Sequence, residues 1–227
     1  SHFAVADEAA RTATTDAQLA LFRDALADAA GAGLEPRWRH LANSAGATVR
    51  EDARFDLVRI GIELYGLAPS TEQADQVRAR LRPALALRTA VSALRTVEAG
   101  ERVSYGHRWE APRRTRVATL PVGYADGLRR GLSGRIRVRL GGHDLAQIGT
   151  VTMDQVMVDV GEVEVEVGQV ATLLGDPAKG EPGVAEWAAA LDTIDYEITC
   201  GLSPRLPRVH HRGRPAGRSS KEREAVG

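Results

Sequence analysis

The chain has 227 residues, enough for one large domain or two modest ones with a core that needs neither disulfides nor metals. Thirty basic against thirty acidic residues leave no net charge, which removes the general electrostatic case for nucleic acid or an anionic membrane as a partner. One cysteine, Cys200, excludes an internal disulfide, and no apolar run reaches the roughly 18 to 20 residues of a membrane helix.

The first residues, Ser1 to Ala6, look like a short strand that begins inside an element and lack the basic-then-apolar order of a signal peptide. They lead to the expectation of a truncated, cytoplasmic chain. From Thr15 to Ala32 apolar residues recur at helical spacing (Leu19, Leu21, Phe22, Leu26, Ala29, Ala30), with Gly31 and Gly33 as the stop. Trp38 to Ser44 reads as a strand, Ala47 to Asp52 as a short helix, and the aliphatic run from Asp56 to Gly66 as a parallel strand covered on both faces. Strand and helix alternating in this way is the grammar of an α/β barrel or doubly wound sheet.

After a polar helical stretch, Thr71 to Arg82, that grammar changes. Short alternating runs follow at Ala86 to Val97, Glu101 to Tyr105, Thr115 to Pro121, Arg135 to Leu140, Asp144 to Val151, Gln155 to Val160 and Gln169 to Leu174, punctuated by glycines. They predict an antiparallel sandwich or barrel. One helix, Val184 to Leu191, interrupts, and Tyr196 to Thr199 and Leu206 to His211 read as extended. The expected division is a partial α/β barrel over 1–75, a β domain over 76–211 and a tail without fold over 212–227.

Chemistry is concentrated at a few positions. His2 lies near the end of the first strand, where a barrel places functional side chains. Ser44 either offers a hydroxyl beside free amides, which suits phosphate, or caps a helix. Arg59 inside an aliphatic run needs either a carboxylate partner or a ligand, and Gly61 beside it lets a backbone amide approach something bulky. Tyr105 is the best candidate for a residue that moves a proton, although a tyrosine in such a run also serves as packing. Gly123 to Gly127 and Thr152 to Gln155 are polar turns with one large residue each, Tyr124 and Met153. The histidines are scattered and no cysteine pair exists, so no metal site is expected.

The order of these motifs carries more than any one of them. Ser1-His2-Phe3-Ala4, His40-Leu-Ala-Asn-Ser44, Val58-Arg59-Ile-Gly61-Ile62, Val103-Ser-Tyr105-Gly106, Gly123-Tyr124-Ala-Asp126-Gly127, Gly149-Thr-Val-Thr-Met153-Asp154-Gln155 and Asp192-Thr-Ile-Asp-Tyr196-Glu197 together resemble the alanine racemase family. The resemblance implies the C-terminal part of a TIM-like α/β barrel followed by a mostly antiparallel β domain. It also implies pyridoxal 5'-phosphate as cofactor, a head-to-tail homodimer whose subunits share the active site, and the interconversion of L- and D-alanine for the cell wall by two bases, a lysine and a tyrosine.

By the same resemblance, Tyr105 matches the catalytic tyrosine, which acts on the cofactor of the other subunit. Arg59 matches the arginine at the pyridine nitrogen, and His2 the histidine linked to that arginine and to the tyrosine. Ser44, the backbone at Gly61 and Ile62, and Tyr196 match phosphate contacts. Met153 matches a residue at the substrate carboxylate, and Tyr124 a tyrosine at the entrance. The family's cofactor-bearing lysine has no matching motif: Lys179 and Lys221, the only lysines, sit in other contexts. The chain alone is therefore expected to be inactive. Two alternatives stay open, a non-catalytic dimerising remnant and a racemase of broader amino-acid specificity.

Overall fold

The computed structural model describes residues 1–211, and the expected tail at 212–227 lies outside the described residues. Helix α1 (Thr12–Gly31) opens the regular structure, anchored by buried Leu19 while Leu21 remains exposed. Phe3, Ala6, Leu19, Leu41, Ala45 and Ala53 form a small core under it. Phe22 and Phe55 close that core edge to face, with ring centroids 5.1 Å apart.

The N-terminal region differs from expectation in its pairing. The segments around 1–6, 38–43 and 56–61 are not strands. Asp56 N donates to Arg39 O (3.1 Å) and Arg59 N to Ala42 O (3.0 Å), so the two segments run in the same direction as a parallel pair would. These bonds fall three residues apart, however, and a ladder needs them every two. Leu57 and Val58, expected to be covered on both faces, are 38% and 37% exposed. A strand exists only where its backbone groups find partners. The end of the run turns instead into a 3₁₀ helix, Ile62–Tyr65.

Helices α2 (Ser44–Val49) and α3 (Ala74–Arg80) complete this region. The expected start of α2 at Ala47 shifts forward because the Asn43 side chain caps it, accepting from Gly46 N at 3.0 Å.

From Leu87 the expected antiparallel architecture is present. Strands β1 (Leu87–Ala90), β2 (Ala93–Val97), β5 (Thr115–Leu120), β6 (Arg137–Leu140), β7 (His143–Ile148), β8 (Val156–Asp159) and β9 (Val170–Leu174) form one sheet in the order β1-β9-β6-β7-β8-β5-β2, while β3 (Arg102–Val103) and β4 (Trp109–Glu110) pair separately. The sheet's two outer strands are consecutive in the chain: β1 pairs with β9 and β2 with β5. Between them Val91 N bonds Gln169 O and Ser92 N bonds Thr119 O, so one bent run serves both sides and the sheet curls back on itself. The β6–β7 turn is Gly141-Gly142, with φ of 61° and 79°, as a two-residue hairpin demands.

The curl encloses the main core, where Leu120, Val138, Leu140, Val158, Leu173 and Leu174 meet Trp187 of α4 (Val184–Leu191). Residues 196–199, expected to be extended, instead lie in α5 (Asp195–Cys200). Packing against α4 buries Ile198 and overrides the strand preference of this β-branched run. Leu206 to His211, also expected to be extended, forms no strand.

Leu173→Ala should lower the unfolding free energy of the β region by about 2–5 kcal/mol, because Leu173 has no exposed surface. Urea unfolding followed by tryptophan fluorescence, reported by buried Trp187, measures it; a loss under about 1 kcal/mol would show that the site collapses around the deletion.

Candidate functional site

The candidate residues fall into two groups, each built by a different stretch of the chain. Arg59 is the centre of the first. Its guanidinium donates to Nδ1 of His2 at 2.7 Å, to Nδ1 of His40, and to the backbone oxygens of Ser1 (2.8 Å) and Leu41 (3.5 Å). No carboxylate pairs with it among the described residues. A guanidinium only donates, so each imidazole must accept at Nδ1 and carry its proton on Nε2. With the proton on Nε2, His2 cannot accept from Asn43 Nδ2, 3.3 Å away, which donates instead to Phe3 O at 3.4 Å.

Ser44 is buried at the start of α2, and its Oγ accepts from Gly61 N at 2.9 Å. Of the two readings open for Ser44, the capping role therefore falls to Asn43. Ile62 is buried and begins the 3₁₀ turn, whose first amides have no partner within the turn. A Cβ built on Gly61 would meet nothing within 4 Å, so the space in front of the Ser44–Gly61 pair is open to a bulky group.

Tyr196, on α5, is near enough to the 3₁₀ turn after Gly61 to feel the charge of Glu63 in that turn. Burial first, then the charges of Asp7, Glu63 and Asp195, push its phenol above the usual tyrosine range. It stays protonated and available as a donor at neutral pH. A hydroxyl, a phenol, unpartnered amides and an arginine make this group receptive to an anion.

The frame beneath it rests on Arg39 and Asp56. Arg39 gives Asp56 a backbone bond (2.9 Å) and two side-chain bonds (2.7 and 2.8 Å), and these hold the Asp56 carboxyl down at about 2. This pair ties the segment bearing His40 to the one bearing Arg59. Neither its importance nor that of His40 was read from the sequence, although both lie in the segments flanking Asn43 and Arg59.

Tyr105, Tyr124 and Met153 form the second group, at one end of the curled sheet. Tyr105 is not in a strand: Ser104, Gly106 and His107 take φ of 69°, 74° and 48°, so the chain makes a tight turn that leaves Tyr105 74% exposed. Thr150 fixes this turn, its Oγ1 bonding Tyr105 O (2.7 Å) while Ser104 Oγ bonds Thr150 O (2.7 Å). Two residues on, Thr152 O and Met153 O accept from Tyr124 N (2.9 Å) and Ala125 N (3.0 Å). A Cβ on Gly123 would sit 2.3 Å from both of those oxygens, so only glycine lets the loops touch. Tyr124 and Met153 are both exposed.

Among the described residues no hydrogen bond or ion pair joins the two groups. The expected direct link between His2 and Tyr105 is not formed within one chain. A cavity of about 880 Å³ is bordered by Asp7, Gly66 to Thr71, Gly175 to Lys179, α4 and Thr193 to Asp195, next in the chain to Tyr196, and none of the candidate residues lines it.

The family model described as alanine racemase, N-terminal domain, matches residues 1–69, and that of the alanine racemase C-terminal domain matches 84–210. The chain is 46% identical to an alanine racemase of Salinispora tropica over 216 residues, 95% of this chain and 57% of that protein. To one of Frankia casuarinae it is 45% identical, over 92% of this chain and 54% of that protein. It thus spans about half the length of these relatives. Among solved structures, the alanine racemase of D-cycloserine-producing Streptomyces lavendulae superposes with a TM-score of 0.89 at 43% identity, over 94% of this chain and 56% of that one. That of Bacillus anthracis with bound L-Ala-P gives 0.87 at 37% identity, over 93% and 54%.

Two outcomes follow for the first group. The Asp56 carboxyl is depressed on folding, so its stabilising effect is complete above the unfolded carboxylate range near ~4 and is lost as pH falls through about 2. Amide exchange at Arg59 should accelerate across that window, and Asp56→Asn should show the fast exchange already at neutral pH; a variant as protected as the parent would remove the pair from the frame. In an absorbance titration, Tyr196→Phe should delete the tyrosine component that ionises above ~10, and deletion of a lower component instead would contradict the assignment.

Proposed function

The chain belongs to the alanine racemase family, and on that premise we propose that it forms part of an isomerase that interconverts L- and D-alanine with pyridoxal 5'-phosphate, in an active site shared between two subunits. The observation that carries this reading is the Arg59 guanidinium, held by two imidazoles with no carboxylate, beside the open Ser44–Gly61 corner. A phosphate and an aromatic nitrogen are the complements of those two features.

The residues present fit the cofactor. Ser44 through its hydroxyl proton, the amide of Ile62 beside Gly61, and the protonated Tyr196 would hold its phosphate, and Arg59, oriented by His2, would face the pyridine nitrogen. When bound, the cofactor supplies the conjugated ring that makes the alanine Cα proton labile. Arginine cannot hand a proton to such a ring, so Arg59 would offer a hydrogen bond without protonating it, a setting that would limit side reactions.

Tyr105 moves a proton at one face of Cα. Its exposed, turn-held phenol lies in the group separate from Arg59, and this separation supports delivery across a dimer interface, where the Arg59 cluster of the other subunit supplies the nearby positive charge that eases ionisation of a phenol. Racemisation needs a second acid/base group on the opposite face. A lysine has that role in the family, and Lys179, paired with Asp176 at 3.6 Å, stands in no matching motif. Turnover accordingly depends on a lysine-bearing segment outside this stretch of chain. That segment would also supply strand neighbours for the unpaired stretches around 38–43 and 56–61. Met153 and Tyr124 line the substrate carboxylate and the entrance. The product serves peptidoglycan synthesis in the cytoplasm.

This chain by itself should form no D-alanine; retention of cofactor absorbance through dialysis together with D-alanine production would overturn the dependence on a further segment. In the assembled enzyme Tyr105→Phe should keep cofactor absorbance while kcat falls by about 10²- to 10⁴-fold. Equal loss of cofactor and turnover would count against a proton-transfer role.

A further inference from the structure

We propose that Arg205 is a positioning residue that locks the Tyr124 and Met153 loops into one arrangement against the exit of α5. The significance of those two residues rests on the racemase reading; the lock itself rests on geometry. Arg205 Nε lies 2.7 Å from Oδ1 of Asp126, and its terminal NH2 lies 2.6 Å from Oδ1 of Asp154. Asp126 closes the turn that begins with Tyr124, and Asp154 follows Met153 directly. One guanidinium therefore bridges the two loops that present the substrate-side residues.

The surroundings show that this bridge is built in. The Asp126 side chain is only 7% exposed, and its second oxygen accepts from Gly123 N at 2.8 Å, so the carboxylate is filled by the Tyr124 loop on one side and by Arg205 on the other. Ser203 N donates to Asp126 O at 3.0 Å. A Cβ on Gly127 would lie 2.5 Å from Gly201 O, which leaves no room between the loop and the chain leaving α5. The chain that makes this contact leaves α5, the helix that carries Tyr196.

The chemistry requires arginine. A planar fork donates to two carboxylates in fixed directions, whereas an ammonium is a single point charge and cannot hold both at these angles. The Arg205 side chain is itself 51% exposed, so it adds little to global stability. Its removal leaves a buried carboxylate short of a donor, and the consequence falls locally on the loops.

The test compares Arg205→Ala, Arg205→Lys and Asp154→Asn, the last removing one arm without stranding a buried charge. In this chain, amide exchange at Tyr124 and Ala125 should accelerate roughly tenfold in Arg205→Ala and less in Asp154→Asn, with β5 and β8 unchanged. In the assembled racemase, KM for alanine should rise several-fold in Arg205→Ala with kcat changed less, and Arg205→Lys should keep the parent Tm without restoring the KM. Unchanged loop exchange, or acceleration spread evenly over β5 and β8, would overturn the lock. Faster loop exchange with an unaltered KM would overturn its role toward substrate. A parent enzyme that never racemises alanine would defeat the racemase reading, and loop exchange would then decide the lock alone.

Discussion

Backbone pairing is the constraint on which this structure depends. In the β region the bent run from Leu87 to Val97 gives its first half to β9 and its second to β5, so a single continuous segment serves both ends of the sheet order. That arrangement gives β9 and β5 an outer partner each and joins the two ends of the sheet order through the bend at Val91 and Ser92, and it wraps the apolar faces around Leu140, Leu173 and Trp187. In the N-terminal region the same requirement goes unmet. Segments 38–43 and 56–61 run side by side with bonds three residues apart, and no ladder forms. The contrast explains why one set of aliphatic runs became strands while the other stayed irregular.

The two arginines at the centre of the functional argument show how partner choice separates roles. Arg205 is matched to two carboxylates, so its charge is spent within the fold, where it holds loops together. Arg59 is matched to imidazoles and carbonyl oxygens, which orient the guanidinium without neutralising it. A cation presented in that way is available to something that binds. The same logic separates Arg39, which is matched to Asp56 and frames the site, from Arg59, whose partners leave its charge unneutralised.

Position within the fold explains the division of the candidate residues into two groups. The first group depends on α2 and the 3₁₀ turn at Ile62, joined by the Ser44–Gly61 bond, while the second is mounted on loops at the end of the curled sheet. The left-handed residues around Tyr105 hold its phenol away from its own core. A side chain so presented suits a surface that meets another subunit, which is the arrangement the proposed activity needs.

The sequence by itself determined the β region almost strand for strand. Alternation and glycine turns are local properties, and Gly141-Gly142 needs only its own dihedral freedom to form a hairpin. The ordered motifs likewise identified the family and named His2, Ser44, Arg59, Tyr105 and Tyr196. What only the tertiary structure decided were the matters of partnership. Asn43 rather than Ser44 caps α2, because both compete for nearby amides and Ser44 is taken by Gly61, seventeen residues away. Tyr196 lies on a helix because α4 buries Ile198, although its neighbours favour a strand. Arg205 joins residues 79 and 51 positions distant, and no local pattern encodes such a bridge. Periodicity reports the conformation a segment prefers, whereas hydrogen-bond and charge partners are set by which segments meet in space.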